Sequence, residues 1–110
     1  MNAVDYQPLF HELAEAERDG EHYQRLHDRL VTEHLPMARH IAARFAERGE
    51  SVEDLRQVAA VGLINAVDRF DVTRGIDFLA FAVPTITGEV RRYLRDQGWA
   101  VRVPRRAKDL

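Results

Sequence analysis

The chain has 110 residues, a length that suits one domain with a modest core. It contains no cysteine, which excludes a disulfide framework, a thiol nucleophile and a zinc site built on thiolates. No apolar run approaches the roughly 20 residues that span a bilayer, and the acidic N-terminus does not resemble a signal peptide. We therefore expect a cytoplasmic protein that makes no use of a membrane.

The net charge of −2 conceals a basic end of the chain. Residues 91–110 carry seven basic and two acidic side chains, whereas acidic side chains outnumber basic ones before them. A split of this kind indicates an anionic partner for the basic end. A solvated basic tail has the same composition, so charge alone leaves both interpretations open.

The hydrophobic periodicity is helical almost throughout and predicts an all-α fold, a compact bundle of about four to six helices. We expect Pro8 to open a first helix that Gly20 closes. Two helices should follow, over roughly 22–34 and 36–47, with a bend at Pro36 and an end at Gly49.

The clearest predicted helix begins at Ser51, where the letters SVED form a capping box with Asp54 as the reciprocal partner. Its apolar residues recur at i, i+3, i+4 and i+7 up to Phe70, which predicts one face in the core. The letters DVTRGID then predict a turn in which Gly75 adopts positive φ.

A last helix should begin after Asp77, which can cap it. Pro84 and Gly88 lie inside this pattern and predict a bend, and Gly98 predicts its end. The chain stops while the pattern is again helical, so we expect a domain that belongs to a longer chain.

The sequence offers little support for an enzyme. His11 and Glu12 resemble the start of a zinc-protease motif, but Glu15 stands where the second histidine is required. The remaining histidine spacings do not place two imidazoles on one helical face, and we expect the histidines to lie on the surface. We expect no catalytic residue, no metal and no cofactor.

The face of helix 52–70 that lies opposite the apolar stripe mixes apolar with polar residues. Apolar groups rimmed by polar ones suit a protein interface, although packing against the N-terminal helices is an equal alternative. The residues of this face are Asp54, Gln57, Val58, Val61, Ile64, Asn65 and Asp68.

Aromatic and basic residues are interleaved in the last part of the chain. This pattern is typical of proteins that stack unpaired bases and bind their phosphates, although a core position suits the two phenylalanines equally well. The aromatic residues are Phe78, Phe81, Tyr93 and Trp99, and the basic ones are Arg74, Arg91, Arg92, Arg95 and Arg102.

At this point the sequence resembles a known family, domain 2 of bacterial sigma-70 factors. The resemblance covers about residues 30–110, and the letters FAVPTITGEVRRY and GWAVRVPRR are similar to the sigma-B/sigma-F branch for stress and sporulation, in its actinobacterial form. The matching positions are Asp54, Leu55, Gln57, Gly62, Leu63, Ala66, Val67, Arg69, Phe70, Asp71, Gly75, Phe78, Phe81 and Ala82.

The resemblance implies a binding protein for transcription initiation with two partners. Helix 52–70 resembles the segment that docks on the β′ clamp of core RNA polymerase. The matching contact positions are Asp54, Gln57, Val58, Ala60, Val61 and Ile64. The rest of the chain resembles the part that melts the promoter minus-10 element and captures its non-template strand. The DNA-contacting positions that we expect are Arg74, Phe78, Phe81, Thr85, Gly88, Arg91, Arg92, Arg95, Trp99, Arg102, Arg105 and Arg106.

Three departures from the family pattern affect these expectations. Pro84 and Thr85 stand where principal sigma factors have two tryptophans, so we expect melting to depend more on the promoter sequence. Gly88 replaces a base-reading glutamine, so minus-10 specificity must differ. Val58 replaces an acidic residue of the polymerase contact.

The resemblance also implies a division of the chain and a regulator. Residues 1–29 form an N-terminal helical segment, 30–100 the sigma domain 2, and 101–110 the truncated start of domain 3. Members of this branch are commonly inhibited by an anti-sigma factor, often of the histidine-kinase-like type. The alternative function is a helical module that such a regulator binds, with little DNA binding of its own.

Overall fold

A computed structural model describes residues 5–46 and 51–109, and for residues 98–109 it describes only the course of the backbone. These parts of the chain contain four α-helices, one 3₁₀ turn and no strand, which confirms the predicted all-α bundle. The elements are α1 (Gln7–Glu15), α2 (Glu21–Phe45), α3 (Val52–Arg69), the 3₁₀ turn (Val72–Arg74) and α4 (Phe78–Asp109). The helix end expected at Gly49 lies outside the described residues. None of the described helices combines the length and the apolar character needed to cross a membrane.

The core lies along α3, which packs against α2 on one side and α4 on the other. Its largest fully buried side chains come from all three helices, and burial of each stabilises the fold by about 1.5–3 kcal/mol. They are Leu30 of α2, Leu55, Leu63 and Val67 of α3, and Ile86 and Val90 of α4. The buried side of α3 is therefore the apolar stripe that the periodicity predicted.

Gly62 allows α3 and α4 to approach closely. A Cβ atom at this position would lie 3.2 Å from the Cα atom of Ile86, which is tighter than ordinary van der Waals contact. Because the atom in the way belongs to the backbone of a fully buried residue, it can give way only if helix α4 shifts. A side chain larger than hydrogen would push the two helices apart.

Helix α1 ends earlier than the sequence predicted. It stops at Glu15, where Ala16 takes an extended backbone, and the charged residues 17–19 that follow are exposed. Gly20, expected to close α1, instead precedes α2 as its N-cap with an extended backbone. Within α1, Phe10 and Leu13 face the core, as their spacing indicated.

The two helices predicted on either side of Pro36 form one helix, α2, so the expected break is wrong. Proline removes the hydrogen bond that the carbonyl of Thr32 would receive, but both residues are exposed and water can reach that carbonyl. Ala38 and Ile41 continue the buried stripe of Leu30 beyond the proline. Burial on this scale outweighs the roughly 3 kcal/mol cost of an interior proline.

Helix α4 also continues where a stop was expected. It runs through Pro84 and Gly88 as one helix, and the end predicted at Gly98 is wrong because the backbone stays helical to Asp109. Pro84 is exposed, whereas Ile86 and Val90 beside it are fully buried. The buried stripe therefore stays continuous across the proline.

The predicted caps at Ser51 and Asp77 and the positive φ at Gly75 are confirmed, whereas the reciprocal bond expected from the Asp54 side chain stays a prediction. Ser51 Oγ accepts a hydrogen bond from the backbone N–H of Asp54 at 3.4 Å. Asp77 caps α4 by accepting from the N–H of Leu79 at 3.2 Å. Gly75 has φ +77°, the left-handed conformation that glycine adopts without strain.

One histidine is not on the surface, contrary to expectation. His34 is 6% exposed, and its ring lies 4.5 Å from that of Tyr6 and 4.8 Å from that of Phe78, centroid to centroid. Its Nδ1 atom is 2.7 Å from the carbonyl oxygen of Leu30. Because a carbonyl can only accept, Nδ1 carries the proton and donates it, which compensates for the burial.

Candidate functional site

The solvent side of α3 keeps apolar groups exposed. We call the six residues predicted to bind polymerase the α3 face: Asp54, Gln57, Val58, Ala60, Val61 and Ile64. Val61 is 54% exposed and Ile64 39% exposed, while Asp54 and Gln57 are exposed polar neighbours. The structure therefore brings these residues together on one side, with the character of a protein interface.

Asp68 was predicted on the side of helix 52–70 opposite the apolar stripe, but it belongs to the contact between α2 and α3. Its Oδ1 atom lies 2.7 Å from Nε2 of His27, and the His27 side chain is only 13% exposed. The sequence left two uses open for this side of the helix, an interface or packing against the N-terminal helices. The structure divides it, since the C-terminal end packs on α2 and Val61 and Ile64 remain exposed.

A groove of about 510 Å³ lies between α3 and the middle of α4, and part of the α3 face forms one of its walls. We call it the α3–α4 groove. It combines apolar side chains with three carboxylates and one guanidinium. Its lining residues are Asp54, Gln57, Val58, Val61, Glu89, Arg92, Tyr93 and Asp96.

The predicted DNA contacts on α4 form a strip along one side of the helix. At about 100° per residue these positions fall within about 120° of each other, on the side away from the buried stripe. We call them the α4 strip: Phe81, Thr85, Gly88, Arg91, Arg92 and Arg95. All three arginines are exposed. The strip therefore offers an aromatic ring at one end and positive charge at the other.

The three arginines of the strip have different neighbours. Arg92 Nη1 donates to Glu89 Oε2 at 3.2 Å. Arg95 lies 3.9 Å from Asp96, with both side chains largely exposed. In the described part of the chain, no ion pair involves Arg91. Exposed pairs of this kind contribute about 1 kcal/mol or less, so DNA phosphates can compete for each guanidinium.

The N-terminal end of the strip is partly fixed by packing. Phe81 is half-buried, with its ring centroid 5.8 Å from that of Phe70. Thr85 Oγ1 donates to the carbonyl oxygen of Phe81 at 2.8 Å, so its hydroxyl proton is already used within the helix. Gly88 has open space around it, since a Cβ atom there would meet nothing within 4 Å.

Phe78 belongs to the core. It is 4% exposed, and its ring contacts those of Phe10 at 4.7 Å and Phe70 at 5.3 Å. Of the two uses that the sequence left open for this residue, the structure shows the core position. Its ring is not available for base stacking in this conformation, which removes it from the group of accessible DNA contacts.

The remaining predicted DNA contacts lie apart from the strip or outside the described side chains. Arg74 is exposed at the end of the 3₁₀ turn. Asp71 begins this turn and accepts hydrogen bonds from the hydroxyl and the backbone N–H of Thr73, which lower the pKa of its carboxyl. The side chains of Trp99, Arg102, Arg105 and Arg106 lie outside the described residues.

Sequence reasoning missed Glu89 as a site residue. It lines the groove and contacts Arg92, and the i, i+3 spacing of an acid and an arginine could have identified the pair. Across the side chains that the structure describes, no group of three or more histidine, aspartate or glutamate residues could hold a metal ion. Two candidate features of the described surface therefore lie side by side, an apolar and acidic groove and a basic strip.

Comparison with known proteins shows which family the sequence matches. Residues 30–100 match the family model for sigma-70 region 2. The chain is 54% identical over 107 residues to the RNA polymerase sigma factor SigF of Mycobacterium tuberculosis, covering 97% of this chain and 41% of that protein. It is 45% identical over 104 residues to the sigma-F factor of Kitasatospora aureofaciens, covering 94% and 35%. It is 41% identical over 87 residues to the sigma-B factor of Bacillus subtilis, covering 79% and 33%.

The chain therefore belongs to the sigma-70 family of RNA polymerase sigma factors and represents its region 2. Within that family it is similar to the sigma-F and sigma-B factors, including actinobacterial sigma-F. It spans about two fifths or less of the length of these relatives. No solved structure matches it. The predicted division at residues 29 and 30 stays a prediction, and α2 passes through that position without interruption.

Proposed function

We propose that this chain binds core RNA polymerase through the α3 face and captures the non-template strand of the promoter minus-10 element through the α4 strip. It acts as a binding module of transcription initiation in the cytoplasm, not as an enzyme. Membership of the sigma-70 family supports the two partners. The polymerase contact involves the β′ clamp, as the resemblance of helix 52–70 implies.

One observation carries the proposal: the two candidate surfaces lie on adjacent helices and carry different chemistry. The α3 face exposes Val61 and Ile64, whose burial by a partner protein is favourable. The α4 strip exposes Arg91, Arg92 and Arg95, which can bind phosphates. The two partners would therefore contact mainly different helices.

The direct test is fluorescence anisotropy with a single-stranded minus-10 oligonucleotide and a scrambled one across a salt series. We expect selective binding whose logarithm falls linearly with the logarithm of salt concentration. Phe81→Ala and Arg91→Ala should weaken it without loss of helix content. Arg39→Ala removes the same charge from an exposed position of α2 and should leave binding unchanged.

The polymerase contact needs a separate readout. Gln57→Ala and Ile64→Ala should weaken binding to core polymerase and leave oligonucleotide binding intact. Loss of both activities in every variant, in proportion to lost helix content, would indicate only structural effects and would contradict the proposal.

A second function is favoured by the exposed apolar groups of the α3 face. In this version the chain is a protein-interaction module that an anti-sigma factor binds, and it makes little contact with DNA by itself. The same titration separates the two functions, because absence of sequence selectivity at every salt concentration would favour this alternative.

A further inference from the structure

Glu89 stands between the two candidate surfaces. Its carboxylate accepts a hydrogen bond from Arg92, with 3.2 Å between Oε2 and Nη1. Arg92 belongs to the α4 strip, yet both residues also line the α3–α4 groove. One ion pair therefore connects the surface assigned to DNA with the surface assigned to protein.

The packing of α3 against α4 holds Glu89 in place. A Cβ atom at Gly62 would lie 3.3 Å from Cγ and 3.4 Å from Cβ of Glu89, so the missing side chain of Gly62 makes room for this stem. The Glu89 side chain is 26% exposed, whereas that of Arg92 is 57% exposed. The carboxylate is thus the fixed member of the pair, and the guanidinium is the member that can leave.

Glu89 is already paired with the Arg92 guanidinium, a cation that a phosphate of the bound strand would otherwise bind. A carboxylate and a phosphate oxygen bind a guanidinium in the same way, through charge-assisted N–H···O hydrogen bonds. The bond to Glu89 uses one Nη1 donor of Arg92 and holds the guanidinium at the groove, so a bidentate contact with a phosphate on the strip is favoured only once this pair opens. Arg91 on the same strip has no such competitor within the described residues.

We propose that Glu89 competes with DNA phosphate for Arg92, and that a cationic side chain of the protein partner in the groove releases Arg92 by pairing with Glu89. This inference rests on the proposed function. The partner's side chain is a lysine or arginine next to apolar groups, since the groove joins Asp54, Glu89 and Asp96 to Val58 and Val61. Occupation of the groove would then strengthen DNA binding without moving either helix.

The test compares Glu89→Gln with Glu53→Gln in the oligonucleotide titration. Glu53 forms an i, i+3 pair with Arg56 at 3.7 Å on α3, so its variant removes the same charge from the same kind of pair away from the α4 strip. We expect Glu89→Gln to raise affinity about two- to fivefold, the effect of losing one exposed ion pair. Glu53→Gln should leave affinity unchanged, and Glu89→Asp, whose shorter side chain reaches less far, should act in the same direction as Glu89→Gln.

A double variant identifies the residue through which Glu89 acts. Arg92→Ala alone should weaken binding, and Glu89→Gln should produce no gain in the Arg92→Ala background. An equal gain in Glu53→Gln, or a gain that persists without Arg92, would overturn the competition. If Arg92→Ala leaves binding unchanged, the assignment of Arg92 to DNA fails instead, which separates this result from failure of the inference.

Core polymerase tests the release step. With saturating core polymerase, wild type and Glu89→Gln should bind the oligonucleotide equally, because the partner has already engaged Glu89. An undiminished two- to fivefold difference in the presence of polymerase would overturn the release.

Discussion

Two glycines, one between the helices α3 and α4 and one on the surface of α4, have opposite consequences for stability. At Gly62 the space for a side chain is filled by α4, since a Cβ atom would lie 3.2 Å from Ile86 Cα and 3.3 Å from Glu89 Cγ. At Gly88 that space is open. Glycine inside a helix costs roughly 1 kcal/mol relative to alanine. Close packing accounts for glycine at position 62, and no such contact accounts for it at position 88.

We predict that Gly62→Ala destabilises the domain by about 1–2 kcal/mol, because the cost of overpacking exceeds the gain in helix propensity. Gly88→Ala is the matched control and should stabilise it by about 0.5–1 kcal/mol. Urea unfolding followed by circular dichroism measures both. Stabilisation by Gly62→Ala would contradict the close approach of α3 and α4.

The phenylalanines three residues apart at the start of α4 differ in burial, and their variants should differ accordingly. Phe78→Ala should reduce the free energy of unfolding by about 3–5 kcal/mol, since its ring fills the core between Phe10 and Phe70. Phe81→Ala should cost clearly less and should act mainly on oligonucleotide binding. Thermal unfolding together with the anisotropy titration checks this, and equal destabilisation by the two variants would contradict it.

At the scale of elements, a hydrogen-bonded group joins the start of α1 to α2. The Tyr6 hydroxyl donates to Glu33 Oε1 at 2.7 Å, and Arg29 Nε donates to Glu33 Oε2 at 2.8 Å. The bond from Arg29, and then that from Tyr6, lowers the pKa of the Glu33 carboxyl. The bond to Glu33 is also the main reason that the pKa of Tyr6 is raised.

These two pKa shifts predict that α1 is held most firmly against α2 at intermediate pH, and less firmly in acid and in alkali. A lowered glutamate pKa gives stability that is present above the ordinary glutamate pKa and is lost as pH falls through the lowered value. A raised tyrosine pKa gives stability that is lost as pH rises through the raised value. Amide exchange of α1 as a function of pH measures both limits.

Glu33→Gln should weaken both pH dependences, whereas Glu15→Gln, at an exposed position of α1, should preserve them. If the two variants show the same pH profile, the group at Glu33 does not determine how α1 docks.

The elements also show which features could be predicted from sequence. The stripes of α3 and α4 and the caps at Ser51 and Asp77 follow from local spacing and hydrogen-bonding chemistry, so they were predictable. Continuity through Pro36 was not, because it depends on tertiary burial on both sides of the proline. The burial of His34 likewise depends on Tyr6, a residue 28 positions away whose contact no local pattern reveals.

The candidate site was predictable to a different degree. Residue types and spacing indicated the exposed apolar groups of α3 and the arginines of α4. They did not distinguish Phe78 from Phe81, since both positions are compatible with the core side and only packing against α1 separates them. The i, i+3 spacing could have indicated the pair of Glu89 with Arg92, but not the packing of the Glu89 stem against Gly62 on another helix, which holds the carboxylate at the groove.

At the scale of the whole molecule, α3 is the element on which the others depend. It contacts both α2 and α4, and six of its residues are buried, whereas α1 buries only Phe10 and Leu13. We predict that backbone amides in the middle of α3 exchange slowest and those of α1 fastest among the four helices, because local opening exposes least surface at α1. Hydrogen exchange followed by mass spectrometry measures this order, and α1 protected as strongly as α3 would contradict it.

Because α4 continues unbroken through Pro84 and Gly88, residues cannot be inserted or deleted there without changing the alignment of its side chains. One residue inserted between Ile86 and Arg91 would rotate everything beyond it by about 100° around the helix axis. The arginines would then leave the side occupied by Phe81 and Thr85. An insertion in the connection between Glu15 and Glu21 leaves that alignment untouched, because no functional side chain depends on its length. Insertions and deletions in relatives with the same two surfaces should therefore fall in the connections and avoid the first half of α4.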